Sequence, residues 1–299
     1  MSHPIRDYFR YLAVSDRDRQ WGLYVTAGGF NAIAPGDPYP RTGHPREYAF
    51  AWSCGRVLHE YQAHYVTRGQ GEFESEPSGG KAVDAGNAFL LFPGVWHRYR
   101  PIAEAGWDEY WVSFGGDYVA RLVEQGFFSP VDPVLTTGSS DVILHAYLTF
   151  IDRLRSEPTG FERLLAASVM EILAGMLGAV HAHGTDSRNL EGIRQAKLIL
   201  EEDMTQVPAI EKLAAAVGMS TTHFHRVFRR QTGLSPYQYH LQLRINRARE
   251  MLSGSALTVK EISVALGFES AFHFSKIFKK KAGQSPHHFR RSIQPPTVR

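Results

Sequence analysis

The run Leu213-Ala-Ala-Ala-Val-Gly218-Met-Ser-Thr-Thr-His-Phe224-His-Arg226-Val-Phe228-Arg-Arg-Gln-Thr-Gly233-Leu-Ser235-Pro236 returns in altered form as Ile262-Ser-Val-Ala-Leu-Gly267-Phe-Glu-Ser-Ala-Phe-His-Phe274-Ser-Lys276-Ile-Phe278-Lys-Lys-Lys-Ala-Gly283-Gln-Ser285-Pro286. The earlier halves lie 49 residues apart and the later halves 50, so one residue is inserted in the second copy's turn. A repeat of this length is a supersecondary unit used twice. Its punctuation reads as helix-turn-helix, which makes duplex DNA the first partner to consider.

Working outward, a first helix is expected from Glu191 to Met204 and a second from Ala209 to Val217. Gly218 supplies the positive φ of the bend, and Ser220 caps a recognition helix that ends before Gly233. Ser235-Pro236 then sets an N-cap followed by a proline at the first helical position, opening a connecting helix to about Leu252. In the second unit Thr258 and Glu261 make a capping-box pattern, and Glu269 or Ser270 starts the second recognition helix. Ser285-Pro286 opens a short last helix. Phe224, Val227, Phe228, Phe274, Ile277 and Phe278 are assigned to the two cores. The opposite faces present Thr221, Thr222, His225, Arg226 and Arg229, then Ala271, Phe272, Ser275, Lys276 and Lys279. Arginine and lysine donate to guanine O6 and N7, while Ala271 and Phe272 suit a thymine methyl. Arg229, Arg230, Lys279, Lys280 and Lys281 fall late in their helices and suit phosphates. The connecting helix is expected to hold the two recognition helices about one DNA turn apart.

Charge agrees with this division. The chain of 299 residues carries +3 overall, but residues 186–299 carry +9 and the preceding residues −6. Only the C-terminal part has the sign for phosphate neutralisation. Cys54 is the sole cysteine, so an internal disulfide and a cysteine-based zinc site are excluded. The first residues lack the apolar core of a signal peptide, and Ala166–Val180, interrupted by Glu171, reads as too short to span a bilayer. No membrane partner is therefore expected, and a cytoplasmic protein is the simplest account.

The N-terminal half has a different period. From about Trp21 to Phe114, short runs such as 61–66, 71–73 and 88–92 are separated by Gly and Pro turns, as in a small antiparallel barrel or sandwich. Ile33 to Pro40, rich in Pro and Gly, reads as an extended arm or loop. From Ser140 the spacing turns helical: Val142, Ile143, Ala146, Tyr147, Phe150, Ile151 and Leu154, then Phe161 to Val180 after a break at 157–160. This hairpin serves either as packing against the barrel or as a subunit interface. Residues 181–189 read as the interdomain linker, and its His181 and His183 as solvated side chains rather than metal ligands. The resulting fold class is a multidomain α+β chain: a cupin-like barrel with a helical hairpin (1–139 and 140–180), then an all-α tandem helix-turn-helix domain (190–293).

The C-terminal motifs resemble the AraC/XylS family of bacterial transcription regulators. The resemblance runs from Glu191 to Arg291. It is carried by Leu213-Ala214, Gly218, Ser220, Phe224, Arg226, Phe228, Gly233, Ser235-Pro236, Arg244, Ala248 and Leu252. The second unit supplies Ile262, Ala265, Leu266-Gly267-Phe268, Phe274-Ser275, Phe278-Lys279-Lys280, Gly283, Ser285-Pro286 and Phe289-Arg290. Departures are Ser263 for the usual alanine, Lys276 for the usual arginine, and the atypical His225. The N-terminal half is similar to the same family's sugar-sensing cupin domain through Arg68-Gly-Gln-Gly71-Glu-Phe, the run Gly86 to Tyr99 and the run Gly106 to Phe114. The resemblance implies a monosaccharide held inside the barrel under an N-terminal arm. By position it implies a lining of Arg56, Tyr99, Glu109 and Trp111. Glu109 stands where the family's arabinose regulator has histidine. The resemblance also implies RNA polymerase as a further partner, no cofactor, and activation of sugar-utilisation genes; a homodimer is suggested only by the stripe from Phe161 to Val180.

A second class of function is a cupin-type metal-dependent sugar enzyme with a DNA-tethering tail. Such enzymes use an HxH pair, a glutamate and a later histidine. Here His97 matches the later histidine alone, and His59 and His64 are five apart, on opposite strand faces. His97 reads as a satisfied barrel residue and no catalytic or metal residue is assigned.

Overall fold

The computed structural model describes residues 7–40, 51–183, 187–202, 204–206 and 209–293. The chain divides into two compact units at Gly184/Thr185, within the expected linker. Helices occupy 181–183 and 187–189 of that stretch, and residues 184–186 lie outside the described residues.

Unit 1 is a β-barrel with a helical hairpin on its outer face. Its described elements are β1 (Tyr8–Tyr11), α1 (Asp16–Gln20), β2 (Tyr24–Ile33), β3 (Arg56–Val57), β4 (Tyr61–Ser75), β5 (Gly79–Asp84), β6 (Asn87–Leu91), β7 (Trp96–Pro101), β8 (Trp107–Gly115), α2 (Asp117–Glu124), β9 (Val134–Thr136), α3 (Asp141–Ser156) and α4 (Phe161–His183). One layer runs β1-β2-β8-β4-β6-β9, all antiparallel; the other joins β3, β7, the far half of β4, and β5. The expected runs 61–66 and 71–73 are one strand, β4, which serves both layers through an irregularity between Val66 and Arg68. Trp21 ends α1 instead of opening a strand, and β1 adds an edge strand ahead of the expected start. Residues 34–40 lie outside regular structure, as expected for an arm or loop, but Ile33, expected with them, ends β2 and is buried in the inner core.

Alternation along the strands divides two cores. On β8, Tyr110, Val112 and Phe114 face the hairpin, with Tyr147, Phe150 and the buried side of α4. Trp107 faces inward with Phe73, Phe89 and Tyr99. The buried part of the α4 stripe, Leu165, Val169, Ile172, Leu173 and Met176, is consumed by this packing. Val142, expected in the α3 stripe, is instead exposed. Helix α4 is long and apolar enough to cross a membrane by length and composition, contrary to the sequence expectation, because it extends three residues beyond Val180 and begins five before Ala166.

Unit 2 comprises α5 (Ser187–Glu202), α6 (Ile210–Ala216), α7 (Thr221–Thr232), α8 (Pro236–Gly254), α9 (Val259–Ala265), α10 (Ala271–Ala282) and α11 (Pro286–Ile293). Helix α5 starts earlier than the sequence indicates and ends before Met204. The caps Ser220, Ser235 and the Thr258–Glu261 box are those read from the sequence, and Gln238 completes a further capping box with Ser235. Ser270, not Glu269, caps α10, so Glu269 is the residue inserted in the second turn. Phe224, Val227 and Phe228 fill the first core with Ile193, Leu200 and Leu213. Phe274 and Phe278 fill the second with Ile245, Leu252 and Ile262, and Ile277 packs at its edge. Helix α8 feeds both cores, so it fastens the two modules together.

Candidate ligand site and DNA interface

The inward faces of β2, β4, β7 and β8 concentrate polar groups inside the barrel. Arg56 leaves β3 and donates from Nη2 to the Tyr99 hydroxyl at 2.8 Å and to Gln62 Oε1 at 3.4 Å. Its Nε donates to His97 Nε2 at 3.3 Å. Since guanidinium only donates, His97 Nε2 accepts, and the ring is neutral with its proton on Nδ1. That nitrogen donates to the Val95 carbonyl at 3.0 Å. Burial and the neighbouring Arg56 push His97 down to about 3. His97 is thus the satisfied barrel histidine that the sequence indicates.

Glu109 is buried on β8 and held from two sides. Asn31 Nδ2, opposite it on β2, donates to Oε1 at 2.9 Å, and His64 Nδ1 lies 3.4 Å from Oε2. His64 Nε2 is 3.2 Å from Gln62 Oε1, and Gln62 Nε2 donates to Ser113 at 2.6 Å. Burial lowers the His64 pKa more than Glu109 raises it. The His64 ring stacks on Phe89 at 4.4 Å between centroids. Trp111 is buried two residues along β8 from Glu109, on the same strand face, and the Tyr11 ring of β1 lies 6.3 Å from it between centroids, tilted by 50°. Burial raises the Tyr11 phenol, and burial drives Tyr99 to about 12, so both are neutral hydroxyls. Asn31 Oδ1 and Trp107 Nε1, an acceptor and a donor, are buried without a hydrogen-bond partner among the described residues.

The four lining residues expected from the resemblance, Arg56, Tyr99, Glu109 and Trp111, therefore all lie at the barrel interior. Asn31, Gln62, His64 and Tyr11 were missed. Gln62 and His64 alternate in sequence, which is a strand-face signal, but only the register of β2 and β4 against β8 brings them and Asn31 to Glu109. His59 is exposed outside the strands, away from His64's buried face.

On unit 2, the residues expected to face DNA lie on the accessible side. Thr222, His225, Arg226, Arg229, Arg230, Phe272, Lys276, Lys279 and Lys280 are exposed, while Thr221, Ala271 and Ser275 are half-buried. Phe272 is 81% exposed, which no core role explains. Phe272→Ala should leave stability within about 0.5 kcal/mol yet weaken binding to duplex DNA, measured by unfolding and by fluorescence anisotropy; a large loss of stability would return Phe272 to the core. Ser263, the small residue at the departure from the family pattern, is buried and donates to the Lys260 carbonyl at 2.7 Å. Arg244 is buried with its guanidinium 3.9 Å above the Phe268 ring, and burial lowers its pKa.

Comparison with known proteins matches both halves. The AraC-like ligand binding domain matches residues 33–173, and the helix-turn-helix domain matches residues 213–292. The chain is similar to the Msm operon regulatory protein of Streptococcus mutans serotype c: 25% identity, covering 81% of this chain and 88% of that protein. It is similar to the MmsAB operon regulatory protein of Pseudomonas aeruginosa: 27% identity, 79% of this chain and 77% of that protein. It is also similar to the lactose operon transcription activator of Staphylococcus xylosus: 25% identity, 71% of this chain and 77% of that protein. A β-barrel carrying a ligand-binding fold, followed by a tandem helix-turn-helix unit, defines a DNA-binding transcription regulator rather than an enzyme. The chain belongs to the AraC family. DNA is its partner through unit 2, and a small-molecule effector is the partner of its barrel.

Proposed function

We propose that the protein is a cytoplasmic, sugar-responsive activator that reads operator DNA with α7 and α10 while a monosaccharide occupies the barrel. The observation that carries the sugar reading is the barrel interior. A guanidinium (Arg56) and a carboxylate (Glu109), each already oriented by buried partners, lie on the inward side of the barrel with Trp111, Tyr99 and Phe89. Ring faces suit sugar C–H groups, and charged donors and acceptors suit hydroxyls. Asn31 Oδ1 and Trp107 Nε1 offer a further acceptor and donor. The name of the lactose operon relative supports the same effector class.

On the DNA side, Arg226 and Lys276 are read as base contacts, with Thr221, Thr222, His225, Ala271, Phe272 and Ser275 beside them. Arg229, Arg230, Lys279 and Lys280 are read as phosphate contacts. A homodimer through the outer side of the hairpin, where Val142, Leu148 and Met170 are exposed, and contact with RNA polymerase complete the reading. A thermal-shift screen of pentoses, hexoses and disaccharides tests the effector. A binder at 100 times its Kd should stabilise by about 2.7 kcal/mol, and Glu109→Leu should abolish that shift. No shift with any sugar sinks the sensor reading.

A further inference from the structure

Arg226, on the exposed face of α7, does not stand alone. Its Nη2 lies 3.0 Å from Nδ1 of His223, one turn earlier on the same helix. His223 Nε2 lies 3.2 Å from Oδ1 of Asn189, near the start of α5. These two contacts have only one consistent protonation. A guanidinium has no acceptor, so His223 Nδ1 must accept from Arg226. The ring is then neutral with its proton on Nε2, and that N–H donates to Asn189 Oδ1. Asn189 thereby holds the imidazole in the tautomer that can receive Arg226. If the acceptor on α5 were removed, the ring would be free to carry its proton on Nδ1, where the N–H would oppose the guanidinium.

We propose that Asn189 and His223 are positioning residues that pre-orient Arg226 for base recognition. The proposal rests on the reading of Arg226 as a base contact. The pair touches no DNA itself in this scheme. It removes rotamer freedom that a long exposed side chain would otherwise lose on binding, and leaves the Nε–H and Nη1 donors to meet a base edge. Asn189 is the third residue of α5.

The test uses the full chain and a duplex selected by the wild-type protein from a randomised pool, together with single-base-pair variants of that duplex. Arg226→Ala identifies the base pair whose preference it carries. His223→Phe and Asn189→Leu are expected to flatten the preference at that same base pair by at least about fivefold, while the salt dependence stays that of wild type, because no phosphate contact is lost. His223→Gln, whose amide can accept from Arg226 and donate to Asn189, is expected to restore the preference. Thermal unfolding checks that each variant is folded; should His223→Phe fail to fold, the Asn189→Leu arm decides. Flattening by Arg226→Ala with full preference kept in the folded His223 or Asn189 variant overturns the relay alone. No effect of Arg226→Ala overturns the base-contact reading and the relay with it.

Discussion

Gly267→Ala is expected to cost far more than Gly218→Ala, although the two glycines occupy equivalent turns. Both have positive φ, +70 at Gly218 and +66 at Gly267. For an L-residue that conformation alone costs about 1–2 kcal/mol. Around Gly218 a methyl would meet nothing within 4 Å. Around Gly267 it would lie 1.5 Å from the Thr205 carbonyl oxygen and 2.4 Å from its carbon. Those are backbone atoms, so the clash is not relieved by a side-chain rotation. The loop after α5 must move, and the second module's turn with it. The loss should exceed about 4 kcal/mol, the range reserved for a few severe mechanisms, against about 1–2 kcal/mol for Gly218→Ala. Denaturant unfolding of the two variants measures this. Equal losses would mean that the Thr205 backbone does not approach the second turn.

Acid should destabilise the barrel through its buried histidines. In an unfolded chain His97 takes a proton near pH 6.5; in the folded barrel it resists until about 3. Between those values the unfolded state holds more protons, so stability falls as pH falls. The contribution is nil above pH 6.5 and reaches a loss of about 2 kcal/mol by pH 5. The geometry gives the reason: a proton on Nε2 would point at the Arg56 guanidinium, while Nδ1 is already committed to Val95. His64, lowered mainly by burial, adds in the same direction. His97→Gln keeps an acceptor for Arg56 and a donor for Val95 but has nothing to titrate. Chemical unfolding of the barrel between pH 7.5 and 5, followed by tryptophan fluorescence, should therefore show a shallower pH slope in His97→Gln than in wild type. Identical slopes would show that His97 already accepts a proton near its ordinary pKa in the folded barrel.

Most of unit 2 was legible because its determinants are local. Caps such as Ser220 and Ser235 bond a backbone N–H three residues away, the helix-ending glycines need only a positive φ, and Phe224 and Phe228 repeat at helical spacing. The one ambiguous cap, Glu269 or Ser270, arose where the insertion offset the two copies. The hairpin was equally readable as a stripe, yet its two uses were not separable. A stripe specifies that a face is buried, not which surface buries it, and here the barrel does.

The candidate ligand site was legible in part. Arg56, Tyr99, Glu109 and Trp111 followed from the family resemblance, and their common location at the barrel interior agrees with it. Nothing local marks Asn31 or His64 as a neighbour of Glu109: one sits in a strand 78 residues away and the other 45 residues away. A strand specifies which side chains share its face, but a shift of one residue against its neighbour would send the opposite set inward. The His223–Asn189 contact is hidden for the same reason, since its members lie on different helices 34 residues apart.

The amino-acid sequence by itself determined the repeated helix-turn-helix units, their caps and bends, the two-part division of charge, and the period change from strand to helix. Each depends on torsions and hydrogen bonds within a few residues or on charge summed along a segment. Tertiary structure alone decided that one long strand serves both barrel layers, that the hairpin stripe is spent on the barrel, and that Glu109 meets Asn31 and His64. Those outcomes depend on strand register and on which surfaces meet, and both are set by the packing of the domain as a whole.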